Sequence, residues 1–453
     1  MSIVKNFGAV GDGKTDDTAA LQHAVDDGDG VLELSRGSYR ITRPIVFDLT
    51  KGGYLGIRGS QGTARIVMTG PGPALKIIGD HRGTADPTSV KPHTAEKERF
   101  PVISGFEILG QHPEADGIEL RRTMQTTISN VLIRKCRYGI HLVERNRNFI
   151  LAHCHIYDGG DTGLFFDDCN LHQVNIYGNH ISYNKRAGIR QWNGDVHNIQ
   201  ITGNDIEYNS GSKEAATGEI VLEAPDNVIS EYTIASNTIQ ATREAKGANV
   251  LILGKDQTPG TSVRLVAITG NVLGSRDKNI EIVNAIHVSI TGNTIYGGTT
   301  LNVRLHNCES AVLGFNTISS RPAGYYSFTS DGVVLEKCVG CTIVGNVMCD
   351  CRYGDASGGG SITLRDCRDV GVSACQIFDP HHRGIHLHNT TRCKVSDNTI
   401  ADRREKTIMR TAIQVTGHGK NNIVQNNAVT PGTEAAVDCD ASLGLAANNT
   451  VWK

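Results

Sequence analysis

The sequence predicts an all-β fold, a right-handed parallel β-helix (solenoid) of about a dozen rungs that begins with a capping helix. Three observations support this prediction. A phrase of the form I-x-G-N-x-I recurs along the chain, short alternating strands follow most of its copies, and Gly and Asn separate the strands. Because one such repeat cannot bury an apolar face alone, the repeats must stack into one continuous core. We expect one domain over residues 1–453.

The first element contains a stretch that imitates a nucleotide-binding loop. The letters GAVGDGKT, residues 8–15, fit the phosphate-binding pattern G-x-x-x-x-G-K-[ST]. Asp12, Asp16 and Asp17 would place negative charge where a phosphate should lie, and like charges repel. No later strand ends in an aspartate suited to hold the metal of such a site. We therefore interpret residues 1–45 as an end cap.

The cap consists of a strand and a helix over the letters TDDTAALQHAV. Thr15 or Asp16 can cap this helix, and Leu21 and Val25 can face the core. The run VKNFGAVGDGKTDDTAALQHAV, followed by GVLELSRGSYRI, resembles the N-terminal signature of the pectate-lyase-like right-handed β-helix superfamily. The resemblance covers residues 3 to about 60. It implies a helix that plugs the open end of the solenoid, and relatives that are polysaccharide-degrading enzymes and phage tailspike depolymerases.

The recurring phrase predicts a ladder of asparagines at one corner of the rungs. Asn tolerates left-handed backbone and forms local hydrogen bonds, so each amide can bond to the residue above and below it. The asparagines at this slot are Asn179, Asn204, Asn237, Asn271, Asn293, Asn316, Asn346, Asn398 and Asn426. Cys136, Cys154 and Cys375 fill the same slot in other repeats.

The other cysteines are interpreted as buried, stacked thiols. Cys308, Cys338 and Cys367 each lie eight residues before the slot, and Cys341 and Cys393 each lie five residues before it. Small thiols suit such ladders. Because the letters CVGC place Cys338 and Cys341 in different ladders, we expect no metal site there, and we expect no cofactor.

Composition limits the partners. The net charge is −2 and charged residues make up 20% of the chain, which argues against nucleic-acid binding. No apolar run approaches the roughly 18 residues that span a bilayer, so no membrane partner is expected. The N-terminus lacks the apolar region of a secretory signal, which predicts a cytoplasmic protein or one whose leader has been removed. Residues 79–100 form a polar insert that could be a lid or an oligomer contact.

Strand alternation predicts two columns of outward-facing residues, one position per rung. The first column is Glu119, His141, Phe165, Arg190, Val221, Leu251, Glu281, Arg304, Val334, Thr363, His386 and Gln414. The second column is Arg121, Val143, Asp167, Trp192, Glu223, Leu253, Val283, His306, Glu336, Arg365, His388 and Thr416. A glycan lying across this face would contact both columns.

The favoured hypothesis is a glycoside hydrolase, or a fructotransferase-like enzyme, acting on a polysaccharide or oligosaccharide. Asp167 and Glu223 lie two rungs apart, so roughly 9–10 Å separates their backbones. Side-chain lean could bring the carboxyl groups within the roughly 6.5–9.5 Å of an inverting pair. Asp168 could raise the pKa of one of them as a like charge. Trp192 would stack on a sugar ring, or pack under a loop instead.

Further residues on this face are assigned to substrate binding. They are Trp192, Arg190, Arg121, His141, Glu119, Glu281, Arg304, His306 and Glu336. Among them, His306 and Glu336 lie on adjacent rungs and could form an acid/base site. The simpler interpretation, a salt-linked surface ladder, is favoured.

The alternative hypothesis is a lyase or a C5-epimerase acting on an acidic glycan. The letters FDPHH, residues 378–382, resemble the Asp-Pro-His signature of mannuronan C5-epimerases, although here the motif lies in a loop before its strand. Such a reaction needs a base and a cation that neutralises the sugar carboxylate, and His381, His382, His386 and Arg365 could provide them. A non-catalytic glycan-binding β-helix is the third hypothesis. Several relatives of this superfamily are trimers, so a homotrimer is possible.

Overall fold

The computed structural model describes residues 2–84, 86–212, 216–255, 262–320 and 330–452. Contacts divide the chain into two compact units, Met1–Thr233 and Ile234–Lys453. Each unit is a right-handed parallel β-helix, because each strand pairs in parallel with the equivalent strand one turn further along the chain. The predicted fold class is confirmed. Within the described residues, no helix is long and apolar enough to cross a membrane.

The first unit contains the helical segments of the protein. These are a 3-10 turn at Val4–Phe7, α-helices at Thr18–Asp26 and Leu49–Gly52, a 3-10 turn at Pro87–Ser89 and a π-helical turn at Thr94–Glu98. Its strands are Ser2–Ile3, Asp12–Asp16, Val31–Leu34, Gly37–Ile41, Ile45–Asp48, Gly56–Gly59, Ala64–Met68, Gly72–Ile78, Val102–Ser104, Glu107–Gly110, Ala115–Met124, Thr127–Ser129, Leu132–Arg134, Tyr138–Arg147, Ile150–Ala152, His155–Tyr157, Thr162–Tyr177, His180–Ser182, Ala187–Trp192, Asp195–Thr202, Asp205–Glu207 and Gly218–Ala224. The strand Val228–Ala235 contains the boundary between the units.

The second unit consists of strands and turns only, as far as it is described. Its strands are Thr238–Gln240, Ala248–Gly254, Val263–Thr269, Val272–Gly274, Lys278–Val283, Ala285–Thr291, Thr294–Tyr296, Leu301–His306, Val312–Gly314, Thr317–Ser319, Val333–Glu336, Thr342–Val344, Val347–Cys349, Ile362–Arg365, Gly371–Ser373, Gln376–Phe378, Arg383–His388, Lys394–Ser396, Thr399–Ala401, Thr411–Thr416, Asn422–Gln425, Ala428–Val429, Ala435–Cys439, Gly444–Ala447 and Thr450–Val451.

A typical rung has three strands, which alternate between inward apolar and outward polar side chains. In the rung that contains Ala115–Met124, the side chains of Ile118 and Leu120 are fully buried. They lie in register with Ile140 and Leu142 on the next rung, so the core is a stack of aliphatic side chains. Adjacent strands are about 4.8 Å apart. Outward residues on neighbouring rungs therefore contact one another, and this spacing positions the sites described below.

The asparagine ladder is confirmed in both units. In the second unit, the amide Nδ2 of Asn271 donates to Oδ1 of Asn293 at 3.0 Å, and Asn293 donates in the same way to Asn316. In the first unit, Asn179 donates to Asn204 at 2.9 Å. The backbone N–H of Cys154 donates to Oδ1 of Asn179, so a thiol occupies the slot there as predicted.

One member of the predicted ladder is wrong. The ladder residue in the letters IVQNNAV is Asn427, whose Oδ1 accepts from Nδ2 of Asn398 at 2.9 Å. Asn426 has a φ of 56° and takes the left-handed position that glycine occupies in other repeats. The buried Val429 fixes this register, because the inward aliphatic residue follows the slot by two positions.

The nucleotide-loop imitation is part of the end cap. Residues 12–16 form a strand that pairs with Gly37–Ile41. The backbone N–H groups of Lys14 and Thr15 donate to the carboxylate of Asp12 at 2.8 and 2.7 Å. These are donors that a phosphate would need. The carboxylate of Asp12 therefore takes up the backbone donors of this loop in place of a phosphate.

The capping helix forms as predicted, with two corrections. It spans Thr18–Asp26 and its N-cap position is Asp17, although the carboxylate of Asp16 accepts the Thr18 N–H at 3.1 Å. Leu21 is fully buried as predicted, whereas Val25 is only half-buried. Ala24 is the second buried position instead, because it follows Leu21 by three residues on the same helix face.

The polar insert packs more closely than its composition predicts. His81, Thr94 and Glu98 are almost completely buried. The carboxylate of Asp80 forms ion pairs with Lys91 and with other basic residues of the insert. Polar side chains that bond to one another or to the rungs below replace an apolar core here.

The stacked thiols are confirmed as buried free cysteines. Contacts of Cys338 with the thiols of Cys308, Cys341 and Cys367, together with burial, raise the pKa of Cys338. The two predicted ladders therefore touch through Cys338 and Cys341, which were expected to be separate. No group of three or more His, Cys, Asp or Glu side chains within the described ranges is arranged to hold a metal ion.

Candidate functional site

The two outward columns lie in the predicted register within each unit. In the first unit, Glu119 pairs with His141, and Asp167 pairs with Trp192. Trp192 in turn pairs with Glu223, so Asp167 and Glu223 are two rungs apart as predicted. In the second unit the register runs through the pairs Glu281–Arg304, Arg304–Val334, Val334–Thr363, Thr363–His386, His306–Glu336, Glu336–Arg365, Arg365–His388 and His388–Thr416.

The first cluster combines a partly exposed carboxylate with stacked rings. Nε2 of His141 lies 3.0 Å from Oδ2 of Asp167, whose side chain is 38% exposed. The His141 ring stacks on Phe165 at 5.3 Å with an interplanar angle of 3°, and Tyr138 packs against both rings. The imidazole is therefore held by rings on one side and by the carboxylate on the other.

The predicted partner carboxylate in this cluster is already paired. Nε of Arg190 donates to Oε2 of Glu223 at 2.9 Å, and both side chains are at least nine-tenths buried. The Arg190 guanidinium also lies over the rings of Phe165 and Trp192. Trp192 itself is 39% exposed and faces outward as predicted. Glu223 is thus held by Arg190, and Trp192 presents an open ring.

The remaining residues of the cluster have structural partners. Asp168 has a φ of 42°, and its carboxylate accepts from Nδ2 of Asn193 at 2.7 Å in the turn after the strand. Arg121 forms ion pairs with Glu119 and with Glu144. The assignment of Asp167, Asp168 and Glu223 to catalysis stays a prediction.

The cluster in the second unit around Glu281 is a chain of ion pairs. Arg304 donates to Glu281 and to Glu336, each at 2.9 Å. Nδ1 of His306 lies 3.1 Å from the same Oε2 of Glu336. Burial by itself would raise the pKa of Glu336, but the hydrogen bonds to Arg304 and His306 outweigh it, so the pKa lies below its usual value. This geometry agrees with the salt-linked ladder that the sequence favoured.

The Asp-Pro-His motif lies in the loop between Gln376–Phe378 and Arg383–His388, and its side chains diverge. Asp379 forms an ion pair with Arg403. Nε2 of His381 lies 2.9 Å from Oδ1 of Asp350. The strand after the motif carries His386 and His388, and these two residues reach a cavity.

This cavity has a volume of about 410 Å³ and lies entirely in the second unit. A glycine-rich loop forms one wall and outward side chains of two rungs form its floor. The lining residues are Ser330, Tyr353, Gly354, Asp355, Ser357, Gly358, Gly359, Arg365, His386 and His388. The lining of a larger cleft of the first unit, about 850 Å³ beside Arg58, includes neither a histidine nor a tyrosine.

A relay of hydrogen bonds connects the two histidines. The backbone N–H of Gly359 donates to Nδ1 of His386 at 2.9 Å. Burial, followed by the charge of Arg383, lowers the pKa of His386 to about 4, so its ring is neutral near pH 7. Its single proton therefore lies on Nε2, which donates to Oγ1 of Thr416 at 2.9 Å. The same Oγ1 lies 3.0 Å from Nδ1 of His388.

The hydroxyl of Thr416 sets the protonation pattern of His388. If the hydroxyl donates to Nδ1, the proton of neutral His388 is on Nε2. If the hydroxyl accepts from Nδ1, the lone pair of Nε2 is free to take a proton. The hydroxyl of Thr416 can therefore pair with either tautomer of His388, and Nε2 is a proton donor in one tautomer and a proton acceptor in the other.

Arginines hold and complete the cavity. Arg383 is buried and donates to the carbonyls of Asp355, Ala356 and Gly359, which fixes the glycine-rich loop over His386. Arg365 is half-buried, lies beside His388 in register, and forms no ion pair with any described residue. Within the described part of the chain, the site therefore presents a cation without an ion-pair partner next to an imidazole.

Sequence reasoning named His386 and Arg365 for this chemistry but missed Tyr353 and the loop. Thr416 and His388 stood in the outward columns without a role. The signal that could have found the loop is the run of three glycines at 358–360, which allows close approach to the imidazole: a Cβ on Gly358 would lie 3.1 Å from the His386 ring.

Three family profiles match successive parts of the chain. The profile described as a right-handed beta helix region matches residues 101–206. The profile of the periplasmic copper-binding protein NosD matches residues 255–438. The profile described as rhamnogalacturonase A/epimerase, pectate lyase-like, matches residues 2–80.

Individual proteins are more distant. The chain is 29% identical over 198 residues to alginate lyase 7 of Azotobacter vinelandii, and the match covers 40% of this chain and 22% of that protein. The A-module of a mannuronan C-5 epimerase from the same organism aligns with 14% identity and a TM-score of 0.42 over 100% of both chains. Tailspike protein 3 of bacteriophage CBA120 aligns with 12% identity and a TM-score of 0.47 over 99% of this chain and 61% of that one.

The profiles and the observed architecture agree with the signature at the N-terminus. Two of the profiles describe β-helix or pectate-lyase-like proteins, and both units have parallel rungs with an asparagine ladder. The matches over residues 2–80 and 101–206 therefore support the predicted resemblance to the pectate-lyase-like right-handed parallel β-helix superfamily.

Proposed function

We propose that this protein abstracts the C-5 proton of a uronic acid residue in an acidic polysaccharide and cleaves the chain by elimination. The observation that carries the proposal is the cavity in which Arg365, without an ion pair among the described residues, lies beside the relay-linked His388. We therefore favour the lyase hypothesis over the hydrolase hypothesis that the sequence favoured.

The first requirement of the reaction is a cation that binds the sugar carboxylate. Removing the proton next to a carboxylate places negative charge on its oxygens, and a guanidinium can stabilise this charge with two parallel hydrogen bonds. Arg365 has this role in our proposal. By contrast, Arg304 and Arg190 are held by carboxylates of the protein.

The second requirement is a base. His388 takes the proton at Nε2 while its Nδ1–H donates to Thr416, so the relay holds the ring and its tautomer. His386 stays neutral and is a positioning residue, because its Nδ1 accepts the Gly359 N–H and its Nε2–H is used by Thr416. A base held in this way contributes about 10²–10⁴-fold to the rate.

The third requirement is an acid for the leaving oxygen, and Tyr353 has this role in our proposal. In the elimination, His388 removes the proton from C-5 and the electron pair forms the C4=C5 double bond. The C4–O4 bond breaks, and O4 takes the phenolic proton of Tyr353. The products are an unsaturated uronide and a new chain end. Return of the proton to C-5 from the opposite face would instead give an epimerase.

The named relatives agree with this substrate class. One is an alginate lyase and another is a mannuronan C-5 epimerase, and both names refer to acidic glycans. The sequence match covers only about a fifth of the lyase, so the substrate rests on the chemistry of the cavity.

The test is an ultraviolet screen for the unsaturated product over polymannuronate, polyguluronate, polygalacturonate and a neutral glucan. We expect absorbance with at least one acidic glycan and none with the glucan. His388→Gln and Arg365→Gln should each lower the rate about 10²-fold or more. The control Arg368→Gln removes an exposed arginine on a nearby turn and should keep full activity. Incorporation of solvent deuterium at C-5 without cleavage of the glycan would indicate an epimerase.

A second candidate function is glycoside hydrolysis at the first cluster. The observation that favours it is the partly exposed Asp167 in register with the exposed ring of Trp192. Reducing ends without absorbance, abolished by Asp167→Asn and Glu223→Gln, would establish this function. Binding without any product would indicate a glycan-binding protein. The homotrimer stays a prediction, which sedimentation velocity can test.

A further inference from the structure

A second group of charged residues lies in the first unit beneath the insert and has no role in the proposed reaction. Arg145 and Arg147 are outward positions of one strand, and they lie in register with Asn170 and His172 on the next rung. The four side chains form a grid about 4.8 Å across the strands and about 6.6 Å along them. Both arginines are only 9% exposed.

Two hydrogen-bond donors of this grid are buried and lack a partner among the described residues. One is Nη2 of Arg145 and the other is Nδ1 of His172. Nδ2 of Asn198 donates to Nε2 of His172, so the proton of the neutral ring is on Nδ1. Buried donors are almost always satisfied, and an unsatisfied one calls for a missing partner. Because both groups are donors, that partner must be an acceptor.

Neither arginine forms an ion pair with a carboxylate among the described residues. Nη1 of Arg145 donates to Oδ1 of Asn170 at 2.6 Å, and Nε donates to the neutral ring of His81 at 3.3 Å. Arg147 donates from Nη1 to backbone carbonyls of the insert, those of Thr84 at 3.3 Å and Asp86 at 3.5 Å, and from Nε to Oδ1 of Asn148 at 3.2 Å. Two buried guanidinium groups are thus held by uncharged acceptors, which compensate buried charge poorly.

The nearby acids are committed elsewhere. Asp195 accepts from Nε2 of His197 at 2.7 Å and from Nδ2 of Asn170 at 3.1 Å. The carboxylate of Asp86 accepts from the backbone and hydroxyl of Thr88. The excess positive charge is also evident in its effect on His81: burial, then Arg145 and Arg147, lowers the pKa of that ring to about 4.

We propose that Arg145, Arg147 and His172 form a binding site for a small oxyanion, such as phosphate, sulfate or a sugar carboxylate, beneath the insert. The anion accepts from the two unpartnered donors and neutralises the arginine pair. It competes with the carbonyls of Thr84 and Asp86 for Arg147, so binding loosens the contact between the insert and the rungs. The site is separate from the proposed catalytic cavity and does not depend on it.

The experiment is isothermal titration calorimetry of the full chain with sodium phosphate, sodium sulfate and sodium galacturonate, each against sodium chloride at equal ionic strength. We expect saturable binding of one anion per chain. Arg145→Gln and Arg147→Gln should each weaken binding about tenfold or more, the effect of one charge-assisted hydrogen bond. Arg392→Gln removes an exposed arginine that pairs with Asp369, and it should bind as the wild type does.

Two further measurements keep the proposal open to refutation if an arginine variant fails to fold. His172→Phe keeps a ring and removes the donor, so it should also weaken binding. Hydrogen exchange of the unaltered protein should be faster at the amide of His81 when the anion is bound. Inorganic anions that bind indicate a free-anion site, and binding of galacturonate alone indicates a site for the glycan. Absence of saturable binding above chloride, or unchanged binding by Arg145→Gln, overturns the proposal.

Discussion

The replacement Asn293→Ala tests how much the asparagine ladder stabilises the second unit. The side chain of Asn293 is 1% exposed and makes five hydrogen bonds. Its Nδ2 donates to Oδ1 of Asn316 and to the carbonyls of Ile268 and Thr291. Its Oδ1 accepts from the backbone N–H and the amide Nδ2 of Asn271.

The expected loss follows from what the substitution leaves behind. The backbone N–H of Asn271 loses its acceptor while it stays buried, which costs about 1–3 kcal/mol. The other lost bonds contribute about 0.5–1.5 kcal/mol each, partly offset because Nδ2 of Asn271 keeps the carbonyl of Ile234. We therefore expect the free energy of unfolding to fall by roughly 3–5 kcal/mol.

Urea unfolding followed by circular dichroism measures this loss. The dependence of the free energy of unfolding on urea concentration should be the same for the wild type and the variant. Hydrogen exchange at the Asn271 amide gives a local readout, which should become faster. Asn6→Ala is the control, because Asn6 is exposed in the first 3-10 turn. A loss below about 1 kcal/mol for Asn293→Ala would refute the role of the ladder as a buried network.

Three further predictions concern the cavity. Thr416→Val should lower the elimination rate about tenfold or more and shift its pH profile, whereas Thr416→Ser should restore both, as kinetics on the best acidic glycan would reveal. The pKa of His386 is about 4 in the folded chain, so the unfolded chain binds more protons than the folded chain as pH falls from 6.5 to 4. The free energy of unfolding should therefore decrease by up to about 3 kcal/mol over that window. Urea unfolding at several pH values should show that His386→Gln lacks this pH-dependent decrease. Arg383→Met should release the loop at Gly359 and speed its hydrogen exchange while Arg365 still binds glycan, and an unchanged exchange rate would contradict the role of Arg383 as a clamp.

Local pattern was sufficient for the register of the rungs. Because alternation has a period of two and the inward residues are aliphatic, the position of Ile118 determines where Glu119 points. The same rule places Asp167 beside Trp192. It failed only at Asn426, where two successive asparagines made the slot ambiguous until the inward Val429 fixed it.

The pairing of outward side chains was beyond the sequence. The two columns place Arg190 and Glu223 on the same face, but only the three-dimensional arrangement buries them together as an ion pair. The same is true of Arg365, which stands next to Glu336 in the column and yet forms no ion pair among the described residues. Side-chain rotamers and loop packing decide which outward residues pair, and strand alternation with a period of two residues predicts neither of them.

The sequence alone determined the solenoid, its end cap and the faces of its strands, because each depends on short-range periodicity and on Asn or Gly at corners. Only the tertiary structure decided which side chains act together. The Gly359 amide meets His386 across 27 positions of the chain, and the insert residue His81 meets Arg145 across 64. Contacts of this range depend on how loops fold back over the rungs, so the candidate sites emerge only when the chain is folded.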